Sequence, residues 1–211
     1  MKFVGIDPGL MGSACAIEIV FPKNKQNDII VLSGKYILPF WKYINKIEFY
    51  DFSKIIIEKN NKKRRVKQES FIDVIDFNEW LQKIGKVDCF FLEGVHSMPN
   101  DSHMAAFKFG SIYGAIKTTI LLSNQCLKLV PINWKSNLVR FLYDNFFIIL
   151  NDIPNELPAN SKEFNIYLAK NLLEKLINKN NTYFTKKKHH NRADAFLILF
   201  WALIEYFNIN K

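Results

Sequence analysis

The sequence predicts an α/β fold: a sheet of mixed strand direction covered by helices on both faces. Three observations predict it. Strand-like segments open the chain and then alternate with helical ones. VDCFFLEG at 87–94 is nearly all apolar, as a strand buried on both faces must be. Hydrophobic residues make up 49% and charged residues 23% of the 211, which supplies one real core and argues against disorder. Eight glycines and seven prolines are too few for a loop-rich or all-β repeat scaffold. One domain spanning 1–211 is expected.

KFVGIDPGLMGSACAIEIV (2–20) reads as strand, tight turn, strand. Phe3, Val4 and Ile6 form a short apolar run, Pro8-Gly9 punctuates it, and Ala14 to Val20 resumes in small and β-branched residues. Residues 21–28 read as a polar turn before a third strand over Ile29 to Leu32, so an antiparallel meander is expected. The stretch of about 41–70 reads as a basic insertion, in which six of the nine residues from Lys59 to Lys67 are basic. That density suits either a solvated loop or a contact to nucleic-acid phosphates. From Ser70, apolar residues at 71, 74, 75, 77, 80, 81 and 84 have helical spacing, with Ser70 as the cap and Gly85 as the stop.

The buried strand ends in Glu93. A loop follows, then a helix from about Met104 to Leu122 with Gly110 and Gly114 four apart on one face. Either the glycines seat that helix on its own sheet, or they belong to a dimer interface whose apolar area comes from Phe107, Ile112, Ile116 and Ile120. Leu127 to Ile132 reads as a strand, Trp134 to Tyr143 as a helix, 151–160 as a proline-bearing loop, and Ser161 to Leu176 as a helix. A basic loop, TKKKHHNR, leads into the last helix, RADAFLILFWALIEYF.

Lys and Arg number 29 against 20 Asp and Glu, a net charge of +9. Such a surplus favours a polyanionic partner, either nucleic acid or an anionic membrane surface. Richness in Lys, Asn and Ile would produce the same balance without selection for binding. No apolar run reaches the roughly 18 residues of a membrane span, and a strand carrying an acid takes the place of a secretory signal. Cys15, Cys89 and Cys126 lie far apart with no CxxC, which points to a reducing compartment and offers no zinc site.

Three acids stand where a strand or helix would present them from apolar surroundings. Asp7 ends the first strand, Glu93 ends the central strand, and Asp194 sits in the first turn of the last helix. Singly, each has a plain reading: a turn residue, a rim acid and a first-turn acid favoured by the helix dipole. Converging at one sheet edge, they would repel one another, and a divalent cation resolves the repulsion. Oxygen-only ligands select Mg²⁺ or Mn²⁺ over zinc. Two such ions about 4 Å apart form the clamp used in phosphodiester hydrolysis.

G-I-D-P-G at 5–9, the strand ending L-E at 92–93 and H-N-R-A-D-A-F at 190–196 resemble the RuvC-type Holliday junction resolvases. That family belongs to the retroviral-integrase and RNase H-like superfamily. F-K-F-G-x-x-Y-G at 107–114, V-P-x-x-W-K at 130–135 and S-K at 161–162 look closest to its phage-type and plastid-type members, and the likeness runs over essentially the whole chain. It implies an RNase H-like five-stranded mixed sheet and a homodimeric, structure-selective DNA endonuclease. Such an enzyme nicks a four-way junction symmetrically with two Mg²⁺ ions, Mn²⁺ substituting. The family's acids map on Asp7, Glu93 and Asp194. Bacterial members usually carry a further acid where this chain has Asn191. Asn191 and His190 are therefore the candidates to complete the second metal site, weaker or shifted toward Mn²⁺. The resemblance also implies DNA contacts from Lys108, Lys117, Lys135 and Lys162, and a junction-centre wedge from His96 or Met98. It implies a cytoplasmic setting or a DNA-containing organelle, with no membrane role.

Three alternatives accompany this reading. An actin-like or sugar-kinase-like ATPase shares the D-x-G turn, but needs a second domain and more glycines than the chain has. A non-catalytic junction-binding protein and an RNase H-like nuclease on RNA–DNA hybrids both stay open.

Overall fold

Alternating apolar residues divide the central strands between two cores. The computed structural model describes residues 1–23, 28–59, 67–94, 102–123, 125–151, 157–158, 161–180, 182–186 and 189–208, with only the backbone at 57–59 and 67–69. The strands are β1 (Lys2–Asp7), β2 (Ser13–Ile19), β3 (Ile30–Leu32), β4 (Lys35–Ile37), β5 (Ile44–Asp51), β6 (Lys54–Lys59), β7 (Lys67–Ile72), β8 (Cys89–Glu93) and β9 (Leu127–Val130). The helices are α1 (Val74–Ile84), α2 (His103–Leu122), α3 (Trp134–Asn145), α4 (Lys162–Asn171) and α5 (His190–Tyr206). The central sheet has the order β5-β2-β1-β8-β9. β1 pairs antiparallel with β2 and parallel with β8, β5 pairs antiparallel with β2, and β9 pairs parallel with β8. The expected mixed five-stranded sheet is what the chain forms.

Because side chains alternate along a strand, each strand serves both faces. Phe3, Cys15, Ile17, Cys89 and Phe91 join one core with α3, α4 and α5. Val4, Ile6, Ala14, Ala16, Phe90 and Leu92 join the other with α1 and α2. α5 is apolar nearly all round, and every residue from Ala195 to Ile204 is buried. The parity continues to the strand ends. Asp7 follows Phe3 and Gly5, and Glu93 follows Cys89 and Phe91, so both acids fall on the α5 side.

Several expectations are corrected. The third strand of the meander is β5, in register with β2 from Ser13↔Asp51 to Glu18↔Lys46, with a bulge before Ile19↔Ile44. Ile29 to Leu32 instead contributes to a small separate hairpin, β3–β4. Residues Ile44–Asp51 of the expected 41–70 insertion are therefore core sheet, and the added part is the β6–β7 hairpin. The basic residues 60–66 lie outside the described residues. Ser70 is in β7 and does not cap a helix. Asp73 caps α1, its Oδ1 accepting from the backbone N–H of Ile75 and Asp76 at 3.1 Å each, and Gly85 ends it. Ser161 does cap α4, accepting from Phe164 N at 3.1 Å. α5 starts at His190, two residues earlier than expected, so Asp194 stands at the beginning of its second turn.

Ile112, Ile116 and Ile120 do not form an outer face of α2. They are buried in the chain's own core beside Ile6, Phe90 and Leu92. The outward side carries Met104, Phe107, Leu121 and Leu122, with Phe107 74% exposed. A Cβ added at Gly110 or Gly114 would meet nothing within 4 Å, so these glycines do not seat α2 on the sheet either.

Cys15 and Cys89 are buried, and Cys126 is exposed. Parallel pairing of β8 and β9 brings Cys126 beside Cys89, with Sγ atoms 2.8 Å apart. Among the described residues, no helix is long and apolar enough to cross a bilayer.

Candidate active site

Two neighbouring parallel strands end side by side, and their last side chains are both acidic. Asp7 closes β1, and Glu93 closes β8 one register step beyond the Ile6↔Leu92 pair. α5 lies across β1 so closely that a Cβ at Gly5 would sit 2.4 Å from Leu199 Cβ and 2.6 Å from Ala195 O. That contact sets Asp194 against the same sheet edge. The turn after Asp7 is equally tight. Gly12 N donates to Gly9 O at 2.8 Å, and a Cβ at Gly12 would lie 2.1 Å from Asp7 O.

Each acid is held by one neutral donor. Gly9 N donates to Asp7 Oδ1 at 3.3 Å. Trp134 Nε1, from the buried start of α3, donates to Glu93 Oε1 at 2.7 Å. Asn165 Nδ2, from the first turn of α4, donates to Asp194 Oδ1.

Their electrostatics are those of acids crowded together out of water. Burial, then Asp194 and Glu93, push the Asp7 carboxyl up to about 8, against the pull of Gly9 N–H and Lys162. Burial raises Asp194 to about 6; Glu93 adds to this, while Lys135, Asn165 and His190 oppose it. Burial also raises Glu93, with Trp134 and Lys135 opposing. The three carboxyls therefore sense one another, and Lys135 and Lys162 stand close enough to act on them.

The other expected residues divide. His190 acts on Asp194 from one turn away. Asn191 spends its amide nitrogen on Met11 O in the β1–β2 turn, which leaves Oδ1 as its ligating atom. Lys108 lies on α2 and, with Phe71, lines a 420 Å³ groove whose walls include none of the three acids. Lys117 lies further along α2. His96 and Met98 lie outside the described residues.

Sequence reasoning missed Trp134, Asn165 and a clamp at Arg192. Arg192 Nε donates to Asp51 Oδ1 at 2.7 Å and to Oδ2 at 2.9 Å. Ser13 Oγ also donates to Asp51 Oδ1, at 2.8 Å. Burial alone would raise the Asp51 carboxyl, but Arg192 and Ser13 hold it below the usual range. Ser13 pairs with Asp7 across the hairpin, so the clamp ties the start of α5 to the strand beside the acids. Asn165 had one signal in the sequence. It follows Lys162 by three residues and so shares its helix face.

Among the described residues, no group of three or more His, Cys, Asp or Glu is arranged to hold a metal ion. The chemistry of the donor set nevertheless fits a hard divalent cation. It is oxygen-only, buried, mutually repelling and incompletely neutralised.

No family model matches the sequence, and no curated protein matches it. Solved structures do. Thermus thermophilus RuvC in complex with a Holliday junction substrate superposes with a TM-score of 0.50 at 11% identity, covering 98% of this chain and 96% of that one. The fold is RuvC-type. A second Thermus thermophilus RuvC structure gives 0.49 at 12% identity over the same shares. The expected RNase H-like sheet is thus found in a RuvC-type arrangement, with its three acids at one sheet edge.

Proposed function

We infer that this chain is a metal-dependent endodeoxyribonuclease that resolves four-way DNA junctions. The observation that carries the reading is the convergence of Asp7, Glu93 and Asp194 at one edge of a RuvC-type sheet, with Lys135 and Lys162 at the rim. The junction as substrate is suggested by the one bound to the similar Thermus protein.

Asp7, Glu93 and Asp194 would hold Mg²⁺, or Mn²⁺ in its place, with Asn191 Oδ1 or His190 completing a second site. When bound, the two ions supply Lewis-acid activation for phosphodiester hydrolysis. The chain's own residues do the rest. Trp134 and Gly9 N–H orient Glu93 and Asp7, and burial excludes bulk water. Lys135 and Lys162 draw the scissile phosphate in as point charges. Lys108 and Lys117 are proposed to contact the arms, and His96 and Met98 the junction centre.

Paired nicks across a two-fold junction need two sites at fixed spacing, which a closed C₂ homodimer supplies. The outward face of α2 suits it, with Phe107 and Leu121 flanking Gly110 and Gly114, where nothing obstructs close backbone approach.

The test is a gel comparing labelled four-way junction, linear duplex and RNA–DNA hybrid in Mg²⁺, Mn²⁺ and chelator. Symmetric nicks in the junction alone, dependent on metal, are expected. Asp7→Asn, Glu93→Gln and Asp194→Asn should each abolish cleavage and keep junction binding. Preferential cutting of the hybrid, or binding without cutting, would overturn the reading.

A further inference from the structure

Asn165 is 2% exposed, enclosed with Phe164, Leu168 and Ala169 on the inner face of α4. Its Oδ1 is the one buried side-chain polar atom among the described residues that lacks a hydrogen-bond partner. Burying an unmatched acceptor is destabilising, because its hydration is lost with nothing in return. A leucine branches at the same atom, fills similar space and carries no such cost. What the amide has that leucine lacks is Nδ2, and Nδ2 donates to Asp194 Oδ1. The opposite amide orientation would set two acceptors face to face.

We propose that Asn165 is a positioning residue: its Nδ2–H fixes the Asp194 carboxylate by engaging Oδ1, so that Oδ2 is the oxygen presented to the divalent cation. Asn165 touches neither substrate nor cation. It acts through Asp194, at the expense of its own unmatched oxygen. Lys162, three residues earlier, acts on Asp7 from the same helical turn. One turn of α4 thereby serves two acids. The proposal rests on the metal-dependent reading above and names a residue that reading does not require.

Stability and function should move in opposite directions. Asn165→Leu removes the orphaned acceptor and the donor together. Its melting temperature in chelator should equal or exceed the wild type. Calorimetric titration with Mn²⁺ should show affinity weakened by about 10- to 100-fold, the usual effect of losing a group that orients a ligand. Single-turnover cleavage should fall by a similar factor, with junction affinity unchanged. If Asn165→Leu does not fold, Asn165→Ala is read by the same criteria for Mn²⁺ affinity and cleavage. A folded variant that binds Mn²⁺ within about two-fold of wild type overturns the positioning role. Wild type that binds no Mn²⁺ overturns the metal site and this proposal together. If Mn²⁺ binding by the wild type is weakened in the variant while neither cuts a junction, Asn165 keeps its role and the nuclease reading falls.

Discussion

Substituting Gly5 with alanine adds one methyl group where α5 lies tightly against β1. The new Cβ would lie 2.4 Å from Leu199 Cβ, 2.6 Å from Ala195 O and 2.9 Å from Leu199 Cα. Carbon atoms pack at roughly 3.5–4.0 Å, so the gap must open by about 1 Å. None of the three atoms is the end of a flexible side chain, so α5 itself has to move. Overpacking of this kind costs about 1–3 kcal/mol, and a helix buried on all sides puts the cost at the upper end. The displacement also reaches the site. Asp7 is two residues beyond Gly5, and Asp194 immediately precedes Ala195. A shift of about 1 Å between reacting groups can lower a rate by roughly 100-fold. Urea denaturation and single-turnover junction cleavage measure the two effects separately. Gly5→Ala that loses less than about 0.5 kcal/mol and cuts at wild-type rate would refute the claim that this contact spaces the acids.

Four further outcomes are expected. In chelator, stability should fall as pH rises from about 4 to 8, because acids whose carboxyls are raised in the fold bind more protons there than in the unfolded chain. Asp194 alone, moved from 3.8 to about 6, contributes about 3 kcal/mol of this loss. Melting curves should show Mg²⁺ restoring more stability at pH 8 than at pH 5, and Asp7→Asn should raise the pH 8 value in chelator. Trp134→Phe keeps an aromatic ring, though a smaller one, and removes the donor to Glu93, so cleavage should drop about 10- to 100-fold with the fold retained, read by nuclease assay and circular dichroism. Ile116→Glu buries a charge in the core and should unfold the chain, whereas Phe107→Glu should shift a dimer to monomer in light scattering and uncouple the two nicks. Diamide should couple Cys89 to Cys126, the two thiols giving up two protons and two electrons to the diazene. Mass spectrometry would find this one cross-link, and cleavage should be unaffected because the pair lies at the opposite end of β8 from Glu93.

Much of the site was legible because strand parity is a short-range rule. Phe3, Gly5 and Asp7 alternate with Val4 and Ile6, and Cys89, Phe91 and Glu93 with Phe90 and Leu92, so a shared face follows once the strands pair. The sheet's third strand was not legible. Ile44 to Asp51 mixes apolar and polar residues unevenly because only Ile44 and Ile47 are fully buried, with Phe49 packed partly against the same core. The isoleucines of α2 have the same spacing whether they face a sheet or a partner, and only the tertiary packing chose. Asn165 and the Cys89–Cys126 contact depend on residues 29 and 37 positions apart, a distance at which local pattern carries no information.

The β6–β7 hairpin leaves and re-enters the fold at a single point, where Asp73 N donates to Ser53 O at 3.0 Å. Its ladder closes on itself, from Lys54↔Ile72 to Lys59↔Lys67. It is therefore a cassette. Residues 55–69 can be exchanged for a short turn, or for a longer arm, while Ile72 stays in place as part of the core shared with α1 and α2. Loop closure adds only about 0.6 kcal/mol for each doubling of length. The chain's densest basic run, Lys59 to Lys67, lies within that cassette, whereas the acids are fixed in the most constrained part of the sheet. The basic run and the strand-end acids can thus be varied independently, by grafting one segment and leaving the other in place.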